Sequence, residues 1–180
     1  MPRAFSLNAK IFLNAPSVDC ALCRLCRQSV DCYKKDHPLE DCALSIGVDS
    51  SATGTGSIAI GSESLASGGN AVALGWKHKA SGVDSVAVNA KNTVTGNQSF
   101  VGGFNSSATS YLSLVFGDTS ISKGSSSILF GNNNYTEGAN SYIIGNDNYL
   151  TGTSAFSIGN SNLITGNRSR SEEHTSELQS

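Results

Sequence analysis

The chain has 180 residues, 14% charged and 38% hydrophobic, with 19 glycines and a formal net charge of -2. That balance is unlike an ordinary helical or α/β enzyme and argues against a nucleic-acid partner. Apolar runs last only a few residues, too short to span a bilayer, so direct membrane insertion is not expected.

The opening stretch, "MPRAFSLNAKIFLNAPSVDCA", has a basic residue but no continuous apolar run of signal-peptide length. All five cysteines, Cys20, Cys23, Cys26, Cys32 and Cys42, fall in the first quarter of the chain, which sets residues 1–42 apart as a Cys-rich segment. Cys20, Cys23, Cys26 and Cys32 are the candidate metal ligands, because thiolates three residues apart can converge on zinc or an iron–sulfur cluster. The segment lacks a paired second Cys-x-x-Cys, so disulfides between chains and chance enrichment stand beside that reading. No cofactor is expected.

From residue 43 to 169 the chain keeps one register. Gly47, Gly61, Gly75, Asn89, Gly103, Gly117, Gly131, Gly145 and Gly159 recur every fourteen residues, and each ends a short apolar run. Seven positions before an anchor stands a second glycine, from Gly54 and Gly68 through to Gly166, with Ser110 the exception. A disordered Ser/Gly linker keeps no such register. The runs before the anchors, such as Ile58-Ala59-Ile60, Leu114-Val115-Phe116 and Tyr142-Ile143-Ile144, are β-branched or aromatic and read as strands.

Side chains alternate across a strand, so the first and third residues of each run share one face and the middle residue takes the other. Both faces are apolar. One can close the interior of a stacked coil, and the other needs a partner. Fourteen residues hold two short strands and two tight turns, with glycine expected wherever a turn requires positive φ. Successive units then stack in parallel at about 4.8 Å per coil, giving a rod on the order of 40 Å long. The fold class expected is all-β, a parallel β-roll or solenoid of fourteen-residue repeats. Few apolar side chains offset the ordering of each unit, so self-association through the second face is expected. Asparagines in "GNNNY", "GNDNY" and "GNSNL" are placed to form a ladder along the axis, and Tyr135 and Tyr149 fall in register with Ile121 and Leu163 on an outer face.

"SIAIGSESLASGGNAVALGWKHKASGVDSVAV" closely resembles the YadA-like head repeats of trimeric autotransporter adhesins, with their Ser-Val-Ala-Ile-Gly strand and Ser-x-Ala-x-Gly turn. The likeness runs from about Ala43 to Ser169 and is strongest from Ser57 to Val88. It implies a left-handed parallel β-roll, a homotrimer and display at the bacterial outer membrane and cell surface. It also implies binding to a host extracellular matrix protein, glycan or cell-surface receptor. Stalk, neck and membrane-anchor barrel are not among these residues. Similar repeats occur in phage and viral tail fibres, which makes a receptor-binding fibre segment the alternative. An ice-binding solenoid would need a flat, regular Thr array, and here the face changes from unit to unit.

Catalysis is not expected. His37 and His78 stand in unlike contexts, and His78 in "WKHKAS" reads as a solvated turn residue. Asp49, Asp84, Asp118 and Asp147 are too far apart for a calcium loop. "NQS", "NSS", "NYT" and "NRS" match the N-glycosylation pattern, as an Asn/Ser-rich chain will by coincidence. Trp76, Lys77 and Lys79 form the most distinctive surface cluster and are the candidate binding residues.

The rule breaks at Arg170, where two carboxylates and a guanidinium replace the next strand. "RSEEHTSELQS" is similar to the in-frame translation of a common sequencing-library adapter. Residues 170–180 are therefore read as a disordered artefact that interrupts a unit, with a disordered native tail as the alternative.

Overall fold

The computed structural model describes residues 43–172. In chain order the strands are β1 (Leu44–Ile46), β2 (Ser51–Ala52), β3 (Ile58–Ile60), β4 (Leu65–Ala66), β5 (Val72–Trp76), β6 (Lys79–Ala80) and β7 (Val86–Ala90). They continue as β8 (Thr93–Val94), β9 (Phe100–Phe104), β10 (Ser107–Ala108), β11 (Leu114–Asp118), β12 (Ile121–Ser122) and β13 (Ile128–Phe130). The last are β14 (Tyr135–Thr136), β15 (Tyr142–Ile144), β16 (Tyr149–Leu150), β17 (Phe156–Ile158), β18 (Leu163–Ile164) and β19 (Arg170–Glu172).

Odd-numbered strands form a 10-stranded sheet and even-numbered strands a 9-stranded sheet, each in sequential order. All pairs are parallel, and partners sit fourteen residues apart, as in Ala59↔Ala73 and Tyr135↔Tyr149. The described chain is thus a parallel β-solenoid in which each coil satisfies the backbone of the next.

The second residue of each odd strand from β1 to β17 points inward. Ala59, Ala73, Ala87, Val101, Val115, Leu129 and Ile143 are fully buried, and Ala66, Ala80, Val94, Ala108 and Leu150 meet them from the even strands. Interior bulk grows along the chain, from Ala59 with Ala66 in an early coil to Ile143 with Leu150 in a late one. A narrow interior leaves room for little else.

The two glycine series have different causes. Gly61, an anchor, has φ 121°, and a Cβ there would stand 1.7 Å from the Gly75 carbonyl oxygen. Gly54 has no positive φ, contrary to the expectation for that series. Its constraint is close approach, since a Cβ would lie 1.9 Å from the Gly68 carbonyl oxygen. The left-handed residue of that turn comes two positions later, at Asn70, Asp84 and Asn140 among others, where a short polar side chain lowers the cost. Asn89 takes its anchor place with φ 88°, below the range of the glycine anchors.

Arg170–Glu172 were expected to lie outside the solenoid. Instead they pair as β19 with β17, in the register Phe156↔Arg170 and Ile158↔Glu172. Sheet pairing is a backbone property, and the charged tips remain at the surface, where the Arg170 guanidinium lies 5.2 Å from the Phe156 ring and pairs with Glu172. The rest of that segment, residues 173–180, lies outside the described residues, as do residues 1–42 with Cys20, Cys23, Cys26 and Cys32.

Candidate binding surface

Two further columns point inward at the turns: one is polar throughout, and the other is serine except at Ala71 and Ala155. In the turn after each anchor, Ser64 Oγ donates to the Gly75 carbonyl at 2.7 Å, Asn92 Nδ2 to Gly103 at 2.7 Å and Asn148 Nδ2 to Gly159 at 2.8 Å. In the other turn, Ser113 and Ser141 Oγ donate to the carbonyls of Gly124 and Gly152 at 3.0 Å each. Carbonyls turned away from the sheets are thereby satisfied inside the coil.

His78 occupies the first of these columns. Expected to be solvated, it is only 2% exposed, because the third residue after the anchor turns inward from Ser50 through Asn148. Its Nδ1 accepts the Asn92 backbone N–H at 3.2 Å. Burial holds its pKa below the usual value, against smaller upward effects from backbone groups of Asn89, Leu74 and Asn92. Asn134, the acceptor residue of the "NYT" pattern, is likewise 1% exposed, so the folded chain withholds it from modification.

Outward, the ten-stranded sheet carries an apolar wall. Ile60, Leu74, Phe116, Phe130, Ile144 and Ile158 are 37–49% exposed along one column. Phe116 and Phe130 stack at 5.5 Å, and Phe100 tilts against Phe116 at 4.9 Å. Gly102 makes room for that overlap, since a Cβ there would stand 2.8 Å from the Phe116 ring.

At the edge where the anchors turn toward the nine-stranded sheet lies a ridge of cations and rings. Lys77 Nζ sits 4.9 Å from the Trp76 ring centroid, and Lys91 Nζ sits 5.0 Å from Trp76 and 5.1 Å from Phe104. Lys77 and Lys91 both have left-handed backbone, φ 57° and 56°, which places them at the crest of successive turns. Glu63 reaches Lys77 at 3.2 Å.

Residues 43–64, 52–77 and 66–88 match the YadA head domain repeat. Residues 43–88 carry YadA-like head repeats. No curated protein matches the chain. Beyond the matched residues the solenoid continues in the same two sheets and the same register through Glu172.

Of the candidate binding residues in the head, Trp76 and Lys77 stand together on the ridge, while Lys79 opens β6 and projects from the adjoining sheet. Lys91 and Phe104 complete the ridge and were missed in the sequence. The signal was there: Lys91 stands fourteen residues after Lys77, and Phe104 twenty-eight after Trp76. Farther along the solenoid, Tyr135 and Tyr149 stack at 4.7 Å on the outer face of the nine-stranded sheet. Lys123 Nζ meets Tyr135 Oη at 2.9 Å and Glu137 at 3.6 Å, and the Tyr135 hydroxyl also donates to Glu137. That hydrogen bond to Glu137 raises the Tyr135 pKa. Among the described residues no group of three or more His, Cys, Asp or Glu side chains is placed to hold a metal, and no helix is long and apolar enough to cross a membrane.

Proposed function

We propose that this head is the distal part of a bacterial cell-surface adhesin. It assembles as a homotrimer through the outer face of the ten-stranded sheet and attaches to a host matrix protein, glycan or cell-surface receptor without catalysis. The observation that carries the reading is the apolar wall from Ile60 to Ile158 on a solenoid whose interior is already filled. Such a wall gains most by meeting copies of itself, because all coils present the same column. Assembly leaves the nine-stranded sheet and the Trp76 ridge for ligands.

Light scattering on the purified chain tests assembly, with a trimer expected. A folded monomer that persists at high concentration overturns it. Beads coated with the chain are expected to adhere to matrix-coated surfaces or cells, and any ligand they capture is expected to be recovered intact. Failure to adhere to a broad matrix and cell panel overturns the adhesin reading.

A further inference from the structure

The geometry points to the ridge formed by Lys77, Lys91, Trp76 and Phe104, together with Lys79 on the adjoining sheet beside it, as a binding site for an anionic polysaccharide bearing sulfate or carboxylate groups. The inference rests on the adhesin reading above and names the ligand class for one of its surfaces.

Charge is the first argument. Among the described residues Lys77 has the carboxylate of Glu63 at 3.2 Å, and Lys79 and Lys91 have no carboxylate partner. Lys123, by contrast, is neutralised by Glu137 in its own cluster. At this edge three ammoniums face the Glu63 carboxylate and, one coil beyond Phe104, the Asp118 carboxylate, which accepts the Phe104 N–H at 3.1 Å, while Asp84 bonds Asn70 at the opposite turn. The balance is a local excess of positive charge on a chain whose net charge is -2, and that excess attracts a polyanion.

Placement is the second. The Lys91 backbone N–H donates to the Trp76 carbonyl at 2.8 Å, so Lys77 and Lys91 are held one coil apart, about 4.8 Å along the axis. Lys79 begins the strand that pairs with Thr93, beside the same two coils. Lys91 is braced between the Trp76 and Phe104 rings, which spares part of the entropy lost when a lysine is fixed on binding. Both rings are 41% exposed and offer apolar faces for the C–H faces of sugar rings between charged groups.

A peptide is the less suitable occupant. The N–H and C=O groups of β5, β6, β7 and β8 are paired with neighbouring coils, so this edge offers no free strand for an extended peptide to pair with.

The test is retention of the full chain on immobilised heparin, with dextran, poly-glutamate and a single-stranded oligonucleotide as soluble competitors. Heparin retention is expected, reversed by salt and by soluble heparin. Lys79→Gln with Lys91→Gln is expected to weaken binding at least tenfold and to reduce the slope of log affinity against log salt by about 2. Lys123→Gln is expected to bind like the parent.

Equal retention of the double variant overturns the inference, as does competition by poly-glutamate or oligonucleotide equal to that by heparin. A change in oligomeric state in the double variant also overturns it, since the ridge would then be a contact between copies. If the parent adheres to cells but not to heparin, this inference falls and the adhesin reading stands. If heparin retention depends on Lys79 and Lys91 while no cell or matrix is bound, the ridge stands and the adhesin reading falls.

Discussion

Asn134 Nδ2 donates to the Gly145 carbonyl at 2.7 Å, so a buried side chain of one coil holds the turn of the next. Its Oδ1 accepts both the backbone and the side-chain N–H of Asn148, at 3.1 and 3.0 Å. Asn134→Ala leaves these groups without partners in a dry interior, and is expected to cost about 1–3 kcal/mol in urea unfolding. Asn132→Ala removes an exposed contact to the Asp118 N–H and is expected to cost less than about 1 kcal/mol. Equal costs would show that the inner column contributes no special stability.

His78 makes the head acid-sensitive. Its folded pKa lies below 6.5 because burial disfavours the charged ring. As pH falls through about 6.5 the unfolded chain takes up a proton that the folded chain refuses, so stability drops and levels off only below the folded pKa. His78→Asn places the side chain of Asn92, Asn134 and Asn148 in the same column and supplies an amide donor. Thermal melts are expected to show the variant losing less stability than the parent between about pH 6.5 and 5. Parallel pH profiles would refute the assignment.

The two faces of each odd strand are expected to respond differently to charge. Ala73→Asp buries a carboxylate between Ala59 and Ala87 in the interior, a loss of several kcal/mol that is expected to abolish the β signal in circular dichroism. Phe130→Asp lies on the 41% exposed outer face. It is expected to leave the coil folded and to dissociate the assembly in light scattering. A Phe130→Asp chain that stays trimeric would place the interface elsewhere.

Arg170 and Glu172 extend a sheet whose preceding outward residues are Phe156 and Ile158. Arg170→Val with Glu172→Ile restores the apolar pattern and is expected to raise stability by about 1–2 kcal/mol, read in calorimetry. A neutral or destabilising outcome would show that the charged pair is accommodated as well as hydrocarbon.

Much of the fold was legible because a fourteen-residue repeat multiplies weak local signals. A single Ile58-Ala59-Ile60 is an ambiguous strand, whereas its recurrence in register from Leu44 to Ile158 is a sheet. The binding ridge was only half legible. Trp76 and Lys77 stood out locally, but Lys91 and Phe104 join them through columns that run across the sequence.

The sequence by itself determined the coil length, the strand positions and the turns, since each depends on local propensity and on spacing that stacking must preserve. It also determined that every odd strand has two apolar faces. Only the tertiary structure decided which face is interior: closure of the coil takes in the middle residues, from Ala59 and Ala73 to Leu129 and Ile143, and turns their neighbours Ile60, Phe116 and Ile144 outward. The same closure put His78 and Asn134 inside, because the third residue after their anchors points across the coil and toward the carbonyl of the next turn. No local property of "WKHKAS" distinguishes that direction from solvent. Closure of the coil fixes it.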